Sequence, residues 1–439
     1  MPRITLVGAG SVEFTRVLLS DLLDFPELAD ATIVLHDIDA ERLATAEQIA
    51  RSINQTAGGH LQIEAHLERR PALEGADFVV NEIQVGGYEA TLRDFEIPAR
   101  YGLRQTIGDT LGVGGVFRGL RTIPVLVAIA NDMAELCPQA ILLNYANPMA
   151  MLPWAVWEGS RHPQVIGLCH SVQNTHEQLA EIVGVPVQEI EFLTAGLNHQ
   201  AFVLRFERDG EDLYGRLDEA IERDPDGLGR RVRIELYRRL GYFPTESSEH
   251  SAEYVPWFMR HDDQVERYRI PVGEYLRRSK ENLKEYEDIR RRLAAGETLP
   301  LTREGELAPR YIHSLLTGEP RTEYGNVRND GLVDGLPPGC CVEVPCRVDA
   351  DGVHPQRIGS LPPQCAAMNR TFVNVAELTV RAALEERRDH VYQAVMLDPN
   401  AGATLTLDTI GSMVDELIEA HGELMPEGIR RGGRRLRRS

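Results

Sequence analysis

A cysteine and two histidines lie at the ends of two apolar segments, and together they suggest metal-binding or nucleophilic chemistry. Cys169 and His170 end the segment QVIGLCH, and His199 ends EIEFLTAGLNH. A thiolate and an imidazole on adjacent strand ends could share one metal ion, and two protein ligands would leave positions open for substrate oxygens. A nucleophilic Cys–His pair is an alternative. Neighbouring residues of an extended strand end point to opposite faces, which disfavours a hydrogen bond between Cys169 and His170. Simple packing of Cys169 is a third interpretation.

A glycine turn near the N-terminus predicts a dinucleotide site. The apolar run at 3–7 leads into GAGS, where Gly8 allows a tight turn and Gly10 allows backbone to approach a pyrophosphate at a helix N-terminus. The third glycine position holds Glu13, so the motif is incomplete. Asp37 ends the second apolar run, where an acid can accept hydrogen bonds from ribose hydroxyls and favours NAD over NADP. A glycine turn and a capping aspartate in an unrelated α/β fold are the alternative.

Apolar runs alternate with helical patterns through the first 200 residues. Strands are predicted at RITLV, ATIVLHD, ADFVVNEI, AILLNYAN, QVIGLCH and EIEFLTAGLNH, and helices at VLLSDLLDF, ERLATAEQIARSIN and residues 118–137. The alternation indicates an α/β fold with a Rossmann-type, doubly wound parallel sheet. Ligands bind such sheets at the carboxyl ends of the strands. The candidate residues at those ends are Gly8, Asp37, Asn81, Asn147, Cys169 and His199.

The pattern changes after residue 196. Helical stretches rich in Arg and Glu fill 214–300, short strands with Gly and Pro turns follow in 321–355, and helices return over 372–421. We therefore predict a dinucleotide-binding domain over 1–196 and an α+β substrate and oligomerisation domain over 197–428. The last eleven residues hold six arginines. They predict a basic, disordered tail over 429–439 or, alternatively, a contact with an acidic neighbouring subunit.

Composition excludes several classes of function. The chain has 439 residues and a formal net charge of −20, which disfavours nucleic acid as a partner. The chain has no run of eighteen or more apolar residues, so no membrane span is predicted. The segment MPRITLVGAG lacks the pattern of a secretory signal, so a cytoplasmic protein is expected. The six cysteines form no CxxC pair, which argues against a four-cysteine zinc site, and in a cytosolic chain they do not suggest a disulfide framework.

An ordered set of motifs resembles glycoside hydrolase family 4, the NAD- and metal-dependent glycosidases. The similarity runs over almost the whole chain. It includes GAGS, HDID, RDFEIPARYGLRQTIGDTLGVGG, NYANP, GLCHSVQ, GLNH and VEVPCRVDADGVHP. Within the family, CHSVQ together with FPTESSEH at 243–250 is similar to the α-galactosidase branch. Neighbouring branches act on α-glucosides, phosphorylated glucosides and uronides.

The resemblance implies a second domain like that of lactate and malate dehydrogenases, and hydrolysis by an unusual route. NAD⁺ takes a hydride from carbon 3 of the sugar, a base removes the proton on carbon 2, the aglycone leaves, water adds, and the ketone is reduced again. The expected cofactors are NAD⁺ and a divalent metal, usually Mn²⁺, and the expected partner is a small α-glycoside. A homodimer or homotetramer is also expected.

The resemblance also assigns roles to residues. The metal ligands are Cys169 and His199, the substrate-binding residues are Arg93 and Asn147, and the cofactor-binding candidates are Gly8, Gly10, Ser11, Asp37 and Asn81. The general acid is Asp109 or His170. The family's base aligns with Ser247, a poor base, so that role passes to Glu246, Glu249 or Tyr254. The alternatives are an α-glucosidase, α-galacturonidase or α-glucuronidase of the same family, a lactate/malate-type dehydrogenase, and a binding-only NAD sensor.

Overall fold

The computed structural model describes residues 1–432, with residues 12 and 13 described by their backbone alone. The strands are β1 (Arg3–Val7), β2 (Thr32–His36), β3 (Gln62–His66), β4 (Phe78–Asn81), β5 (Ile141–Asn144), β6 (Val165–Gly167), β7 (Glu191–Leu197), β8 (Gln200–Arg208), β9 (Glu211–Asp212), β10 (Arg321–Arg328), β11 (Val333–Asp334), β12 (Cys341–Asp349), β13 (Gly352–Pro355) and β14 (Gly359–Ser360).

Helices cover both faces of the sheet and fill most of the second half. They are α1 (Val12–Leu22), α2 (Ala40–Ala57), α3 (Arg69–Leu73), α4 (Gly87–Arg100), α5 (Gly112–Leu136), α6 (Leu152–Gly159), α7 (Ser171–Val183), α8 (Tyr214–Arg223), α9 (Val232–Leu240), α10 (Ser248–Glu253), α11 (Asp262–Arg267), α12 (Glu274–Ala294), α13 (Leu307–Thr317), α14 (Pro363–Leu384), α15 (Arg388–Leu397), α16 (Pro399–Thr404), α17 (Leu407–His421) and α18 (Glu427–Arg431).

The first half forms the predicted Rossmann-type sheet. Its strands lie in the order β3-β2-β1-β4-β5-β6 and pair in parallel. This is the strand order of dinucleotide-binding folds, in which a crevice opens where the order reverses, between β1 and β4. Because the central strands are covered on both faces, they are continuous apolar runs, as β2 shows with its buried Ile33, Val34 and Leu35.

Strand β3 is absent from the sequence-based prediction. The prediction counts ADFVVNEI as the third strand, whereas it forms β4. Strand β3 is QIEAH, an edge strand that pairs only with β2 and is half-exposed along most of its length. A half-exposed edge needs no continuous apolar run, so the pattern that marks the central strands is missing there.

The prediction that β6 and β7 are adjacent parallel strands is wrong. Strands β10 and β12 lie between them in the order β6-β10-β12-β7, and β7 is antiparallel to both its neighbours, β12 and β8. Each junction is narrow: β10 meets β6 at one residue pair, Asn326 with Gly167, and β12 meets β7 at one pair, Glu343 with Gly196. The inserted strands come from residues after 320, so chain order does not reveal this neighbour relation.

The second half is helical with an intervening strand region, as the sequence indicates. Helices α8–α12 occupy most of 214–294, and α14–α17 follow the strands. Strands β10 and β12 have eight and nine residues, longer than the short strands expected. The proposed domain boundary at 196 lies within the β7–β8 hairpin, and the domain limits stay a prediction.

Part of the predicted disordered tail is ordered. Residues 429–431 belong to α18, and Ile429 is fully buried against the core. The prediction of disorder rests on the number of arginines in the tail, and that number says nothing about the burial of Ile429. The remaining arginines of the tail lie outside the described residues.

Helix α5 is the one helix of the described chain that is long and apolar enough to cross a membrane. Its most apolar window has a mean hydropathy of 1.5, but 78% of that window is buried inside the protein. Core helices have the same composition, and α5 packs against α4, α6 and α14.

Candidate active site

Three side chains that can bind a metal converge beyond the carboxyl end of β6. The Sγ of Cys169 lies 3.2 Å from Nε2 of His199, and Oε2 of Glu246 lies 3.7 Å from the same nitrogen. One donor atom from each residue lies within 4.8 Å of the others. We call Cys169, His199 and Glu246 the donor cluster. The structure thus brings the two predicted metal ligands together and adds a carboxylate that the sequence suggests for another role.

A buried carboxylate holds the two turns of the donor cluster in place. Glu343 on β12 accepts hydrogen bonds from Asn198 (3.0 Å), from Asn326 on β10 (3.2 Å) and, at 3.5 Å, from Ser171. Asn198 precedes His199, and Ser171 begins the helix that follows Cys169. The inserted strands therefore connect the two metal-binding turns, although β6 and β7 do not pair.

The imidazole of His199 is oriented from behind. Its Nδ1 lies 3.2 Å from the hydroxyl of Thr110 and 3.3 Å from that of Tyr254, so Nε2 faces the donor cluster. Burial would lower the pKa of His199, but the negative charges of Cys169 and Glu246 raise it to about 10. A bound cation would replace that proton, because metal ligation requires the neutral ring.

Asp109 is a carboxylate in a network of polar side chains. It accepts hydrogen bonds from Asn147 Nδ2 (3.0 Å) and Thr110 Oγ1 (2.8 Å), and His250 Nε2 lies 3.8 Å away. Burial alone would raise the pKa of Asp109, but His250 and Arg118 lower it well below its usual range. A carboxyl held in its ionised form is a poor proton donor, which argues against Asp109 as the general acid.

His170 is in the opposite situation. Its Nε2 lies 3.1 Å from Oε2 of the buried Glu306, and its ring stacks on Tyr145 with the centroids 6.0 Å apart. Burial opposes its protonation, but Glu306 outweighs burial and raises the pKa of His170. The protonated imidazole is favoured, so His170 suits the role of proton donor better than Asp109 does.

Glu246 and Tyr254 differ as candidate bases. Burial would raise the pKa of the Glu246 carboxyl, but the positive charges of His199 and His250 lower it, so the carboxylate form is favoured. Burial raises the pKa of Tyr254 well above its usual value and therefore opposes the phenolate. Glu246 also adopts a left-handed backbone with φ +69°, unusual for a residue other than glycine.

Glu249, Ser247 and Arg93 also lie outside the donor cluster. Glu249 contributes its backbone carbonyl, which accepts from Thr106 Oγ1, while no hydrogen bond or ion pair joins its carboxylate to the described side chains. Ser247 caps α10 and bonds His250 Nδ1 at 2.9 Å. Arg93 is half-buried on α4 and forms no ion pair within residues 1–432.

The glycine turn after β1 has the geometry of a dinucleotide cradle. Gly8 adopts φ +91°, and the Gly10 amide donates to Asp37 Oδ2 at 2.9 Å. A Cβ at Gly10 would lie 2.5 Å from that oxygen, so only glycine fits. Ser11 caps the N-terminus of α1 without a side-chain bond, and Asn81 donates to Asn144 Oδ1 at 2.7 Å. The turn therefore fits a pyrophosphate, with Asp37 beside it for the ribose.

Several residues of the site escape sequence-based reasoning. Arg118 on α5 donates to the Asn147 carbonyl (3.2 Å) and the Tyr275 hydroxyl (2.9 Å), so it supports a predicted substrate residue. Two arginines, Arg118 and Arg121, in the apolar first half of α5 are the signal that could have found it. His250 stands four residues after Glu246 in FPTESSEH. No sequence signal points to Glu306, and Glu343 lies in the motif VEVPCRVDADGVHP without any signal for its partners, which are distant in the chain.

The match to known families covers most of the chain. A model described as "Family 4 glycosyl hydrolase" matches residues 3–185, and one described as "Family 4 glycosyl hydrolase C-terminal domain" matches residues 194–401. Among curated relatives, an alpha-galactosidase of Bacillus subtilis (strain 168) is 42% identical over 97% of this chain and 100% of its own length. An alpha-galactosidase of Rhizobium meliloti (strain 1021) is 35% identical over 97% of this chain and 89% of its own.

Solved structures share the fold. A 6-phospho-beta glucosidase of Thermotoga maritima, solved with manganese, NAD+ and glucose-6-phosphate, superposes with a TM-score of 0.80 at 22% identity, over 96% of this chain and 99% of that chain. A malate dehydrogenase of Plasmodium falciparum gives a TM-score of 0.51 at 13% identity, over 89% and 100%. The expected likeness to dehydrogenases is thus confirmed at the level of the fold. With both family models matched in chain order and two relatives above 30% identity over nearly the whole length, the chain belongs to family 4 of the glycosyl hydrolases.

Proposed function

We propose that this glycosyl hydrolase acts on unphosphorylated α-galactosides and uses NAD⁺ and Mn²⁺. The observation that carries the proposal is the donor cluster at the carboxyl edge of a dinucleotide-binding sheet, a combination that simple hydride-transferring dehydrogenases do not need. The two α-galactosidases of 42% and 35% identity support the choice of sugar. No arginine or lysine lies between residues 245 and 255, which agrees with a substrate that carries no phosphate.

The donor set fits a divalent cation. Cys169 and His199 would hold it and leave coordination positions open for substrate oxygens, and the related structure solved with manganese supports Mn²⁺. Gly8, Gly10, Ser11, Asp37 and Asn81 would hold NAD⁺. When bound, the two groups would supply a hydride acceptor and a Lewis acid for transient oxidation at carbon 3.

The chain's own residues would orient the sugar and move its protons. Asn147, fixed by Asp109, and Arg93 would bind sugar hydroxyls. His170 would protonate the leaving oxygen, and Glu246 would remove the proton from carbon 2. The distances from the Glu246 carboxylate to the donor atoms of Cys169 and His199 also suit a third metal ligand. Measuring metal affinity together with kcat separates the role of base from the role of metal ligand.

A panel of nitrophenyl α-glycosides tests the proposed reaction. With NAD⁺, Mn²⁺ and a reductant present, we expect turnover of the α-galactoside ahead of the α-glucoside and the uronides. In heavy water, the released sugar should carry deuterium on carbon 2, because the abstracted proton exchanges with solvent before it returns. Hydrolysis with no deuterium at carbon 2 would contradict the elimination route, and net formation of NADH would favour the dehydrogenase alternative.

We also propose a cytoplasmic homo-oligomer. All six cysteines are free, and five of them are buried, as expected in a reducing compartment. Light scattering on the purified chain tests the dimer or tetramer, and a monomeric mass would contradict it.

A further inference from the structure

A buried arginine close to Glu246 has no ion pair. We call residues 243–247 the Glu246 segment. Arg233, on α9, is 6% exposed, and no ion pair joins it to a carboxylate among residues 1–432. Its Nε also has no hydrogen-bond partner in this part of the chain. Arginines are almost never fully buried without a charged partner, because burying an unpaired charge costs free energy. The position of Arg233 therefore calls for a function.

The guanidinium of Arg233 connects α9 to α7 and to the start of the Glu246 segment. Its Nη1 donates to Thr175 Oγ1 at 3.3 Å, and its Nη2 donates to Gln178 Oε1. Both partners lie on α7, the helix that follows the turn of Cys169. The guanidinium carbon lies 4.9 Å from the centroid of the Phe243 ring, which is a cation–π contact. Arg233 is thus held on two sides.

Thr175 extends this contact to the backbone of Glu246. Its Oγ1 donates to the Ser171 carbonyl at 2.6 Å, and it accepts from the Glu246 amide at 3.2 Å as well as from Arg233. A hydroxyl has one proton and two lone pairs, so these three bonds use its full capacity. The hydroxyl therefore fixes the amide of Glu246, a residue whose φ of +69° needs support from surrounding contacts.

Charge provides a second connection between Arg233 and Glu246. Burial lowers the pKa of Arg233 to about 10, and the Glu246 carboxylate is the strongest of the charges that oppose this change. The guanidinium therefore stays protonated at neutral pH and attracts that carboxylate. The attraction is stronger in a buried site than in water, because the local dielectric is lower.

We propose that Arg233 is a positioning residue for removal of the proton from carbon 2 of the sugar. Through Thr175 it holds the backbone of Glu246, and through its charge it restrains the direction of the Glu246 carboxylate. The inference rests on the proposed function, in which Glu246 is the base. Arg233 forms no hydrogen bond with Cys169, His199 or the other candidate site residues of the described chain, so it acts through Glu246 and not on the sugar itself.

Kinetic isotope effects on the holoenzyme measure this role. A nitrophenyl α-galactoside with deuterium on carbon 2 or on carbon 3 reports how far cleavage of each bond limits the rate. Arg233→Met should lower kcat about 10- to 100-fold, the effect of a misplaced catalytic group, with a smaller change in KM. The ratio of the carbon 2 to the carbon 3 isotope effect should rise, because only the proton transfer to Glu246 is slowed. Arg238→Met, at an exposed position of the same helix, should behave like wild type.

Two further variants separate the charge of Arg233 from its support of the backbone. Arg233→Lys keeps the charge and loses the planar fork, so it should recover part of the kcat that Arg233→Met loses. Thr175→Val keeps the charge and removes the connecting hydroxyl, so it should lower kcat and raise the same isotope-effect ratio. The affinities for Mn²⁺ and NAD⁺ should stay within about twofold of wild type in all three variants.

The outcomes distinguish positioning of the base from a merely structural role. A folded Arg233→Met protein with an unchanged isotope-effect ratio would overturn the inference, as would a loss of Mn²⁺ affinity that parallels the loss of kcat. If Arg233→Met does not fold, Thr175→Val decides by the same two measurements. A wild-type chain that releases its sugar without solvent deuterium on carbon 2 would instead overturn the proposed function on which the inference rests.

Discussion

Two residues of the donor cluster have backbones that cost free energy. His199 has φ +64° and Glu246 has φ +69°, in the left-handed region that side chains other than glycine rarely occupy. Such conformations cost about 1–3 kcal/mol each and persist where surrounding contacts enforce them, which is common at functional sites. The bonds of Thr110 and Tyr254 to His199 are contacts of this kind.

Replacing the thiolate tests the metal site. Cys169→Ser should abolish both high-affinity Mn²⁺ binding and turnover, because serine supplies no anionic sulfur at neutral pH. Electron paramagnetic resonance of free Mn²⁺ would measure the binding. Cys137→Ala removes a buried thiol at the end of α5 and should retain both properties. Full activity of Cys169→Ser without added metal would contradict the assignment.

Glu246→Gln separates the two roles of its carboxylate. If Glu246 is the base, kcat should fall by about 100-fold or more while Mn²⁺ affinity stays near that of wild type, because general base catalysis contributes roughly 10²- to 10⁴-fold. If it is a metal ligand, Mn²⁺ affinity should fall together with kcat. We expect the first pattern. Unchanged kcat would exclude both roles, and Glu249→Gln, which lies outside the donor cluster, serves as the matched control.

At the scale of elements, the loop before α5 is held by a buried acid. Glu253, at the end of α10, accepts hydrogen bonds from the backbone amides of Thr106 (2.7 Å), Ile107 (3.2 Å) and Gly108 (2.8 Å). This loop presents Asp109 and Thr110 to the site. Helix α16 packs behind it, and Asn400 donates to the Arg104 carbonyl at 2.9 Å.

The acid that caps α16 should make stability depend on pH. Burial raises the pKa of Asp398 to about 7, although the hydrogen bond donated by the Ala401 amide lowers it. Between about pH 4 and pH 7 the folded chain holds a proton that the unfolded chain has lost, so stability falls as pH rises through this window. Asp398→Asn keeps a good N-cap and removes this loss, which amounts to on the order of 4 kcal/mol.

Urea unfolding midpoints measure this effect. Wild type should lose stability from about pH 4 to about pH 7, and Asp398→Asn should lose less over the same interval. Equal losses in the two proteins would show that Asp398 is ionised in the folded state throughout this range.

At the scale of the molecule, one continuous sheet gathers groups from residues 8 to 306 at one edge. Ligands that need this assembled edge bind the folded chain and not the unfolded one. NAD⁺ and Mn²⁺ at about 100 times their dissociation constants should therefore each stabilise the fold by about 2.7 kcal/mol. Differential scanning fluorimetry should show a higher Tm with both, and a chelator should remove the part due to the metal. No change in Tm with either ligand would contradict their binding at this edge.

Local sequence patterns were sufficient to locate the ends of the Rossmann-type strands and the residues that follow them. Apolar runs and glycine turns are local signals, so they assign Gly8, Asp37, Asn81, Cys169 and His199 to strand ends without reference to any long-range contact. Family motifs carried the remaining candidates, because Asp109, Asn147 and Glu246 stand in ordered, recognisable segments.

Which side chains meet in the site depends on contacts between segments that are distant in the chain. Strands β10 and β12 enter the sheet between β6 and β7 and bring Glu343 beneath the donor cluster. The choice of His170 over Asp109 as acid depends on Glu306 and His250, which lie more than 100 residues away in the chain. Charge and burial set proton affinity, and both depend on contacts between distant segments that no local periodicity encodes.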